Sequence, residues 1–264
     1  MLGDGVLVGI LNVTADSFSD GGEHFGADRA VSQGLGMISD GAGIVDVGGE
    51  STRPGADAVE TAEELRRVVP VIEELADAGV TLSIDTSKAE VASRALQSGA
   101  AIVNDVTGFT DRRMVDVVAG ADCGVVVMHG RQWPLNRMPP EVDPVEEVRS
   151  SLGSAVDAMV DAGVARERIA VDPGIGFAKR TEQSLALLAH LDRLVSLGCP
   201  VMVGTSRKGF LGEVVGGRGW ESRDNATAAT TALGFERGAR LFRVHDVARS
   251  RDALEIAAAI VAPH

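Results

Sequence analysis

Side chains that can ionise or hydrogen-bond recur at one kind of place in this sequence, directly after short apolar runs. The positions are Asn12 with Asp16, Asp46 ahead of GGESTRPGA, Asp85, Asn104 with Asp105, Met128 with His129, Asp172 ahead of GIGF, Ser206 to Lys208, and Arg243 with His245 and Asp246. Helix capping accounts for some of them, because Asp, Asn, Ser and Thr accept from the open N–H groups of a helix start. Capping has no use for Arg53, Lys208, Arg243 and His245. In a chain of net charge −13, such a set of cations points to an anion of the phosphate type. Asp85, Asn104 and Asp172 offer acceptors and an amide from three separate places, which suits a flat heterocycle with several N–H donors and acceptors. The expected site therefore has two halves, one reading a polar ring and one holding an oxyanion.

The elements that must position these residues are legible as a repeat. Apolar runs occur at 6–11, 43–47, 80–84, 101–106, 124–128, 168–172, 200–204 and 240–244, nearly continuous rather than alternating, as in buried parallel strands. Helical spacing falls between them, as in Ala62, Leu65, Val68, Val69, Ile72 and Leu75, or Val145, Val148, Leu152, Val156 and Met159. Gly41, Gly79, Gly99, Gly163, Gly198 and Gly238 stand where helix C-caps are required before the next strand. Eight such units predict a single (β/α)8 barrel over 1–264, with long flexible loops after strands 1 and 2 (12–26 and 48–58) and a long loop at 130–143. A doubly wound sheet is the runner-up, but GILNVTADSFSDGG is no phosphate-binding glycine loop. In a barrel, active sites form at the C-terminal strand ends, where the polar residues collect.

Composition narrows the function. With 38 acidic against 25 basic residues there is no broad basic face for nucleic acid. No run approaches the roughly 20 apolar residues of a membrane span, and the first residues lack the form of a signal peptide, so a cytoplasmic protein is expected. Cys123 and Cys199 have no neighbours at metal-ligand spacing and read as small buried residues.

GILNVTADSFSDGG (9–22), DVGGESTRPGA (46–56), SIDTSK (83–88), VNDV (103–106), DPGIGFAK (172–179), SRKGFLG (206–212) and RVHDV (243–247) resemble, in order, the signature motifs of the dihydropteroate synthases. The resemblance runs from about residue 6 to residue 250. It implies condensation of 6-hydroxymethyl-7,8-dihydropterin pyrophosphate with p-aminobenzoate, giving 7,8-dihydropteroate and pyrophosphate, with Mg²⁺ present. By the same resemblance Asp85, Asn104, Asp172 and Lys208 hydrogen-bond the pterin, and Met128 and Arg243 lie against its faces. Pyrophosphate falls to Asn12, Thr52, Arg53, Arg243 and His245, with Asn12 also bonding Mg²⁺. Aminobenzoate falls to Phe18, Thr52, Pro54, Phe177, Lys208 and Gly209. Arg53, Lys208, Arg243 and His245 are the expected catalytic set, acting by positioning and charge stabilisation. A homodimer packed through the late helices is also implied. Ala15 and Thr205 depart from the family pattern without removing a polar group from this set. Two rivals remain: a pterin-binding methyltransferase barrel, which gives no reason for STRPG, SRK and RVHD together, and a non-catalytic binder of pterin or phosphate.

Overall fold

The computed structural model describes residues 5–13, 23–51, 58–130, 138–217, 219 and 223–262. Eight parallel strands form one sheet: β1 (Val6–Asn12), β2 (Ile44–Gly48), β3 (Leu82–Asp85), β4 (Ile102–Asp105), β5 (Gly124–Met128), β6 (Ile169–Asp172), β7 (Met202–Val203) and β8 (Leu241–Val244). Their order is β6-β5-β4-β3-β2-β1-β8-β7. A parallel bridge between Val171 and Val201 joins the two ends and closes the barrel. The helices are α1 (Glu23–Ser39), α2 (Thr61–Asp77), α3 (Ala89–Gln97), α4 (Arg112–Ala119), α5 (Pro144–Asp161), α6 (Thr181–Ala189), α7 (Asp192–Val195), α8 (Gly209–Val214), α9 (Asp224–Glu236) and α10 (Val247–Val261). The doubly wound alternative is thereby excluded, and the segment expected as loop 12–26 is already helical from Glu23.

All six of the expected C-cap glycines have positive φ, between 76° and 110°. At Gly41, Gly79, Gly99, Gly163 and Gly238 the paired bonds of a Schellman turn follow, for example Gly79 N–H to Ala76 O at 2.9 Å and Val80 N–H to Leu75 O at 3.0 Å. Each cap precedes the next strand by a few residues, and after Gly163 a 3-10 turn at Arg166–Arg168 intervenes before β6. One expectation fails on α2: Ala62 faces solvent, and Glu64 is fully buried in its stead.

Side chains alternate along each strand, and this divides the interior in two. Leu7, Leu11, Val45, Val47, Leu82, Ile84, Val103, Val125, Val127, Val171, Val203 and Phe242 face the helices and belong to the large apolar core. The alternate positions Val8, Val126, Ala170, Met202 and Leu241 form a second, small cluster inside the barrel, with Val6, Ile44 and Ile102 packed against it. One inward step further along the strands stand Asp46, Asp85, Asn104, Met128, Asp172, Gly204 and Arg243. The barrel thus has an apolar floor, and its polar layer comes at the C-terminal end.

Candidate active site

Arg243 is the hub of that layer. Its Nε donates to Asp46 Oδ2 and its Nη2 to Asp85 Oδ2, both at 2.6 Å. Asn104 Nδ2 donates to the same Asp46 oxygen at 3.2 Å. Asp46, Asp85 and Asn104 are all buried, and Asp46 Oδ1 has no hydrogen-bond partner among the described residues. A buried carboxylate oxygen left open in this way is costly unless a ligand donor reaches it. Burial pushes the Asp85 carboxyl up to about 7; Arg243 pulls against this, and Asp46 adds to it. Burial works against the charge on Arg243, but Asp46 and Asp85 outweigh it and hold the guanidinium above its ordinary value.

Asp172 and Lys208 make the other wall. Asp172 Oδ1 accepts from Gly174 N–H at 2.7 Å. A Cβ placed on Gly204 would lie 3.6 Å from Asp172 Oδ2 and 3.9 Å from Lys208 Nζ, so these two groups converge over that glycine. Lys208 Nζ also donates to the Ile175 carbonyl and stands 4.2 Å from the centre of the Phe177 ring. Burial lowers the Lys208 ammonium to about 8, against the pull of Asp172. Burial likewise raises Asp172 above the usual carboxylate range, with Lys208 opposing. Gly176, at φ 78°, leaves room for the lysine stem: a Cβ there would come within 2.8 Å of Lys208 Cδ.

Around the rim, Asn12 ends β1 with its side chain exposed. Ser206 Oγ lies 2.8 Å from His245 Nδ1 and accepts from His245 N–H at 3.0 Å, tying the end of β7 to the end of β8. Gly209 is the first residue of α8, directly after Lys208. Met128 is buried yet belongs to neither apolar cluster, and it stands at the end of β5 in register with Asp172. Phe18, Thr52, Arg53 and Pro54, named on resemblance, lie outside the described residues, as does Asp16. The structure thus brings Asp85, Asn104, Met128, Asp172, Lys208 and Arg243 to one end of the barrel, with Asn12, Phe177, Gly209 and His245 on its rim.

Three neighbours of these residues do other work. Arg207, at φ 58°, pairs through two nitrogens with Asp224 at 2.7 and 2.9 Å and so fixes the start of α9. Asp105 turns away from Asn104 and accepts from Thr107 and Phe109, shaping the loop after β4. Thr205 bonds Thr230 on α9 at 2.7 Å. Sequence reasoning gave Asp46 no role in the site, although the structure makes it the anchor of Arg243. Its signal was present: it is the inward residue immediately below the exit of β2.

The family described as pterin binding enzyme matches residues 8–245. A dihydropteroate synthase of Mycobacterium leprae (strain TN) is 48% identical over 262 residues, covering 96% of this chain and 92% of the relative. The chain belongs to the dihydropteroate synthase family. Solved members superpose closely. The Xanthomonas albilineans dihydropteroate synthase with 4-aminobenzoic acid gives a TM-score of 0.93 at 44% identity, covering 99% of this chain and 95% of the other. The Burkholderia cenocepacia dihydropteroate synthase complexed with 7,8-dihydropteroate gives 0.88 at 39% identity, covering 97% and 91%. No methyltransferase is needed to account for the barrel and its inward polar layer, since dihydropteroate synthases match this chain at such identity across nearly its whole length.

Proposed function

We propose that this member of the dihydropteroate synthase family forms 7,8-dihydropteroate from 6-hydroxymethyl-7,8-dihydropterin pyrophosphate and p-aminobenzoate, releasing pyrophosphate. The observation that carries the reading is the inward layer itself. Asp46, Asp85, Asn104 and Asp172 present buried acceptors and an amide at one level of the barrel, while Arg243 and Lys208 supply charge beside them. A pterin edge is rich in ring N–H and amino donors, and these match the carboxylates. Met128 and the planar Arg243 offer soft and flat surfaces to its faces.

The chemistry asks the protein for position and charge. Arg243, His245 and Arg53 hold the pyrophosphate and stabilise its charge as the bond to the exocyclic methylene breaks, and the electron-rich pterin carries the resulting positive charge. The amine of p-aminobenzoate then attacks that carbon, and the new secondary amine sheds one proton to solvent. Phe18, Thr52, Pro54, Phe177, Lys208 and Gly209 seat the aminobenzoate, with the Phe177 ring already packed against Lys208. Asn12 is a fitting ligand for Mg²⁺: its amide offers a hard oxygen donor at an exposed strand end, and Mg²⁺ takes few protein ligands beside water and phosphate oxygens. When bound, Mg²⁺ supplies neutralisation of the leaving pyrophosphate. The test is pyrophosphate release by purified protein with each of the two substrates and Mg²⁺ omitted in turn. Release that needs all three, with dihydropteroate in equal amount, is the expected result; saturable binding without release would leave the non-catalytic binder.

The chain pairs with a second copy through its late helices. In support, Leu233 on α9 is 52% exposed, and Ile256 and Ile260 on α10 are 63% and 71% exposed. Sedimentation should give a dimer that Ile256→Asp with Ile260→Asp shifts towards monomer; no shift would place the contact elsewhere. Among the described residues no helix is long and apolar enough to cross a membrane. A cytoplasmic location is supported by Cys123 and Cys199, both buried and unpaired.

A further inference from the structure

Three lysines occur in the chain, and the inward layer uses one of them, Lys208. Lys88 neutralises the buried carboxylate of Glu64, its Nζ donating to Glu64 Oε2 at 2.5 Å. Lys179, the last residue of DPGIGFAK, does neither. Its Nζ donates to Gly174 O at 2.9 Å, to Phe177 O at 3.3 Å and to His129 O at 3.4 Å, and lies 3.0 Å from His129 Nδ1. An ammonium offers three donors, and here they gather acceptors from two strand ends: His129 follows β5, while Gly174 and Phe177 follow β6.

What Lys179 holds is a turn. Phe177 N–H donates to Gly174 O at 3.0 Å, and Gly176, third in the turn, has φ 78°, the pattern of type II. The turn is pressed onto the end of β5, since a Cβ on Gly174 would come within 2.3 Å of His129 O and 3.1 Å of Lys179 Nζ. Ala178, between Phe177 and Lys179, has φ 52°, a left-handed conformation that residues other than glycine rarely adopt. Such backbone persists where the surroundings over-determine it, and the bond from Lys179 Nζ back to Phe177 O spans that very residue. The turn in its own right makes three contacts in the site. Gly174 N–H donates to Asp172 Oδ1, Ile175 O accepts from Lys208 Nζ, and the Phe177 ring packs against that same ammonium.

We propose that Lys179 is a positioning residue for p-aminobenzoate: by tying the 174–177 turn to the end of β5, it holds the Phe177 ring where the aminobenzoate is seated. The proposal rests on the reading of Phe177 given above. Asp172 depends less on this tie. It lies in the ladder opposite Met128, its carbonyl accepts from His129 N–H at 2.8 Å, and Lys208 is its stronger electrostatic partner. Loss of the Lys179 ammonium therefore loosens the turn beyond Gly174 and leaves the pterin readers in place. Misplacing a substrate-holding group by about 1 Å can cost about 100-fold in rate.

The experiment compares Lys179→Met, Phe177→Ala and the double variant with the wild type. Met keeps an unbranched stem and removes only the donors. Expected for Lys179→Met is a rise of about 10-fold in KM for p-aminobenzoate, with kcat/KM for that substrate down by about 10- to 100-fold. Affinity for 6-hydroxymethyl-7,8-dihydropterin without pyrophosphate should stay within about threefold. Because Lys179 acts through Phe177, the double variant should match Phe177→Ala alone to within about twofold. Lys179→Gln keeps an N–H donor for the turn and should fall between Lys179→Met and the wild type; it carries the comparison if Lys179→Met does not fold. If the wild type binds the pterin pyrophosphate without turning it over, the same comparison is made on the affinity of the ester-loaded protein for p-aminobenzoate. Wild-type behaviour of Lys179→Met beside an impaired Phe177→Ala overturns the positioning role only. An unimpaired Phe177→Ala overturns the reading of Phe177 and takes the positioning role with it. Losses that multiply in the double variant overturn the proposal, because Lys179 then acts by a route other than Phe177. Equal loss of the bare pterin in Lys179→Met overturns it too, because it marks a general structural effect.

Discussion

Arg243, Asp85 and Lys208 show how burial is put to use at single residues. Asp85 reaches about 7 because desolvation outweighs the attraction of Arg243, and Lys208 falls to about 8 because desolvation outweighs the attraction of Asp172. In the proposed site Asp85 accepts from more than one pterin N–H best when ionised, since protonation turns one of its oxygens into a donor, so its competent fraction grows as pH rises through 7. A lysine that holds an anion works only when charged, so its contribution is lost as pH rises through 8. We therefore expect a bell-shaped kcat/KM profile with limbs near these values, each belonging to the coupled site and not to one group. Asp85→Asn should erase the acid limb and Lys208→Arg the alkaline one, since a guanidinium keeps its charge. Limbs that persist in both variants would assign the titration to the substrate. Lys208→Met should cut turnover by about 100-fold or more while Tm stays within about 4 °C. Near-normal kinetics in that variant would remove Lys208 from the site.

Single elements decide which of these residues can meet. The segment between β6 and α6 holds Lys208 as firmly as Lys208 holds it: the ammonium bonds Ile175 O and packs on Phe177, and Gly176 makes room for the stem. Gly176→Ala would force an L side chain to φ 78° and push it into Lys208 Cδ, at a stability cost of about 1–2 kcal/mol. The expected signature is a loss of activity greater than the loss of Tm implies; a lowered Tm with intact kcat/KM would show that the stem can move aside without consequence. Much of this architecture was legible in the sequence. β5 is found at the expected residues 124–128, and the six cap glycines fall at the expected turns, because both signals are local. β7 is shorter than the run 200–204 suggested, since apolar character does not reveal where a ladder stops. The buried Glu64 was not legible: a glutamate in an amphipathic helix reads as solvent-facing, and its partner Lys88 lies beyond a strand. Asp46 was seen as a strand end, but its bond to Arg243 spans 197 positions of the chain and has no local trace.

At the scale of the whole barrel, the ladder is not uniform. β1 and β2 pair over Val8–Asn12 and Ile44–Gly48, whereas β6 and β7 meet through the Val171–Val201 bridge and the 2.9 Å bond from Val171 N–H to Pro200 O. β7 itself comprises only Met202 and Val203. Local opening follows the thinnest hydrogen bonding, so the β6–β7 seam is where this barrel should breathe. The seam also carries two residues of the proposed site: Asp172 ends β6, Lys208 follows β7, and the two converge over Gly204. A pterin bonded to both residues bridges the seam and must be released before it opens. Ligand at about 100 times its Kd then adds about 2.7 kcal/mol to that opening, roughly a 100-fold slowing. Amide exchange at residues 201–204 should accordingly be the fastest among the barrel strands in the free protein and the most strongly slowed by dihydropterin. Equal slowing in β1 and β2 would mean that the ligand stabilises the barrel globally, with no special hold on the strand pair that its binding residues straddle.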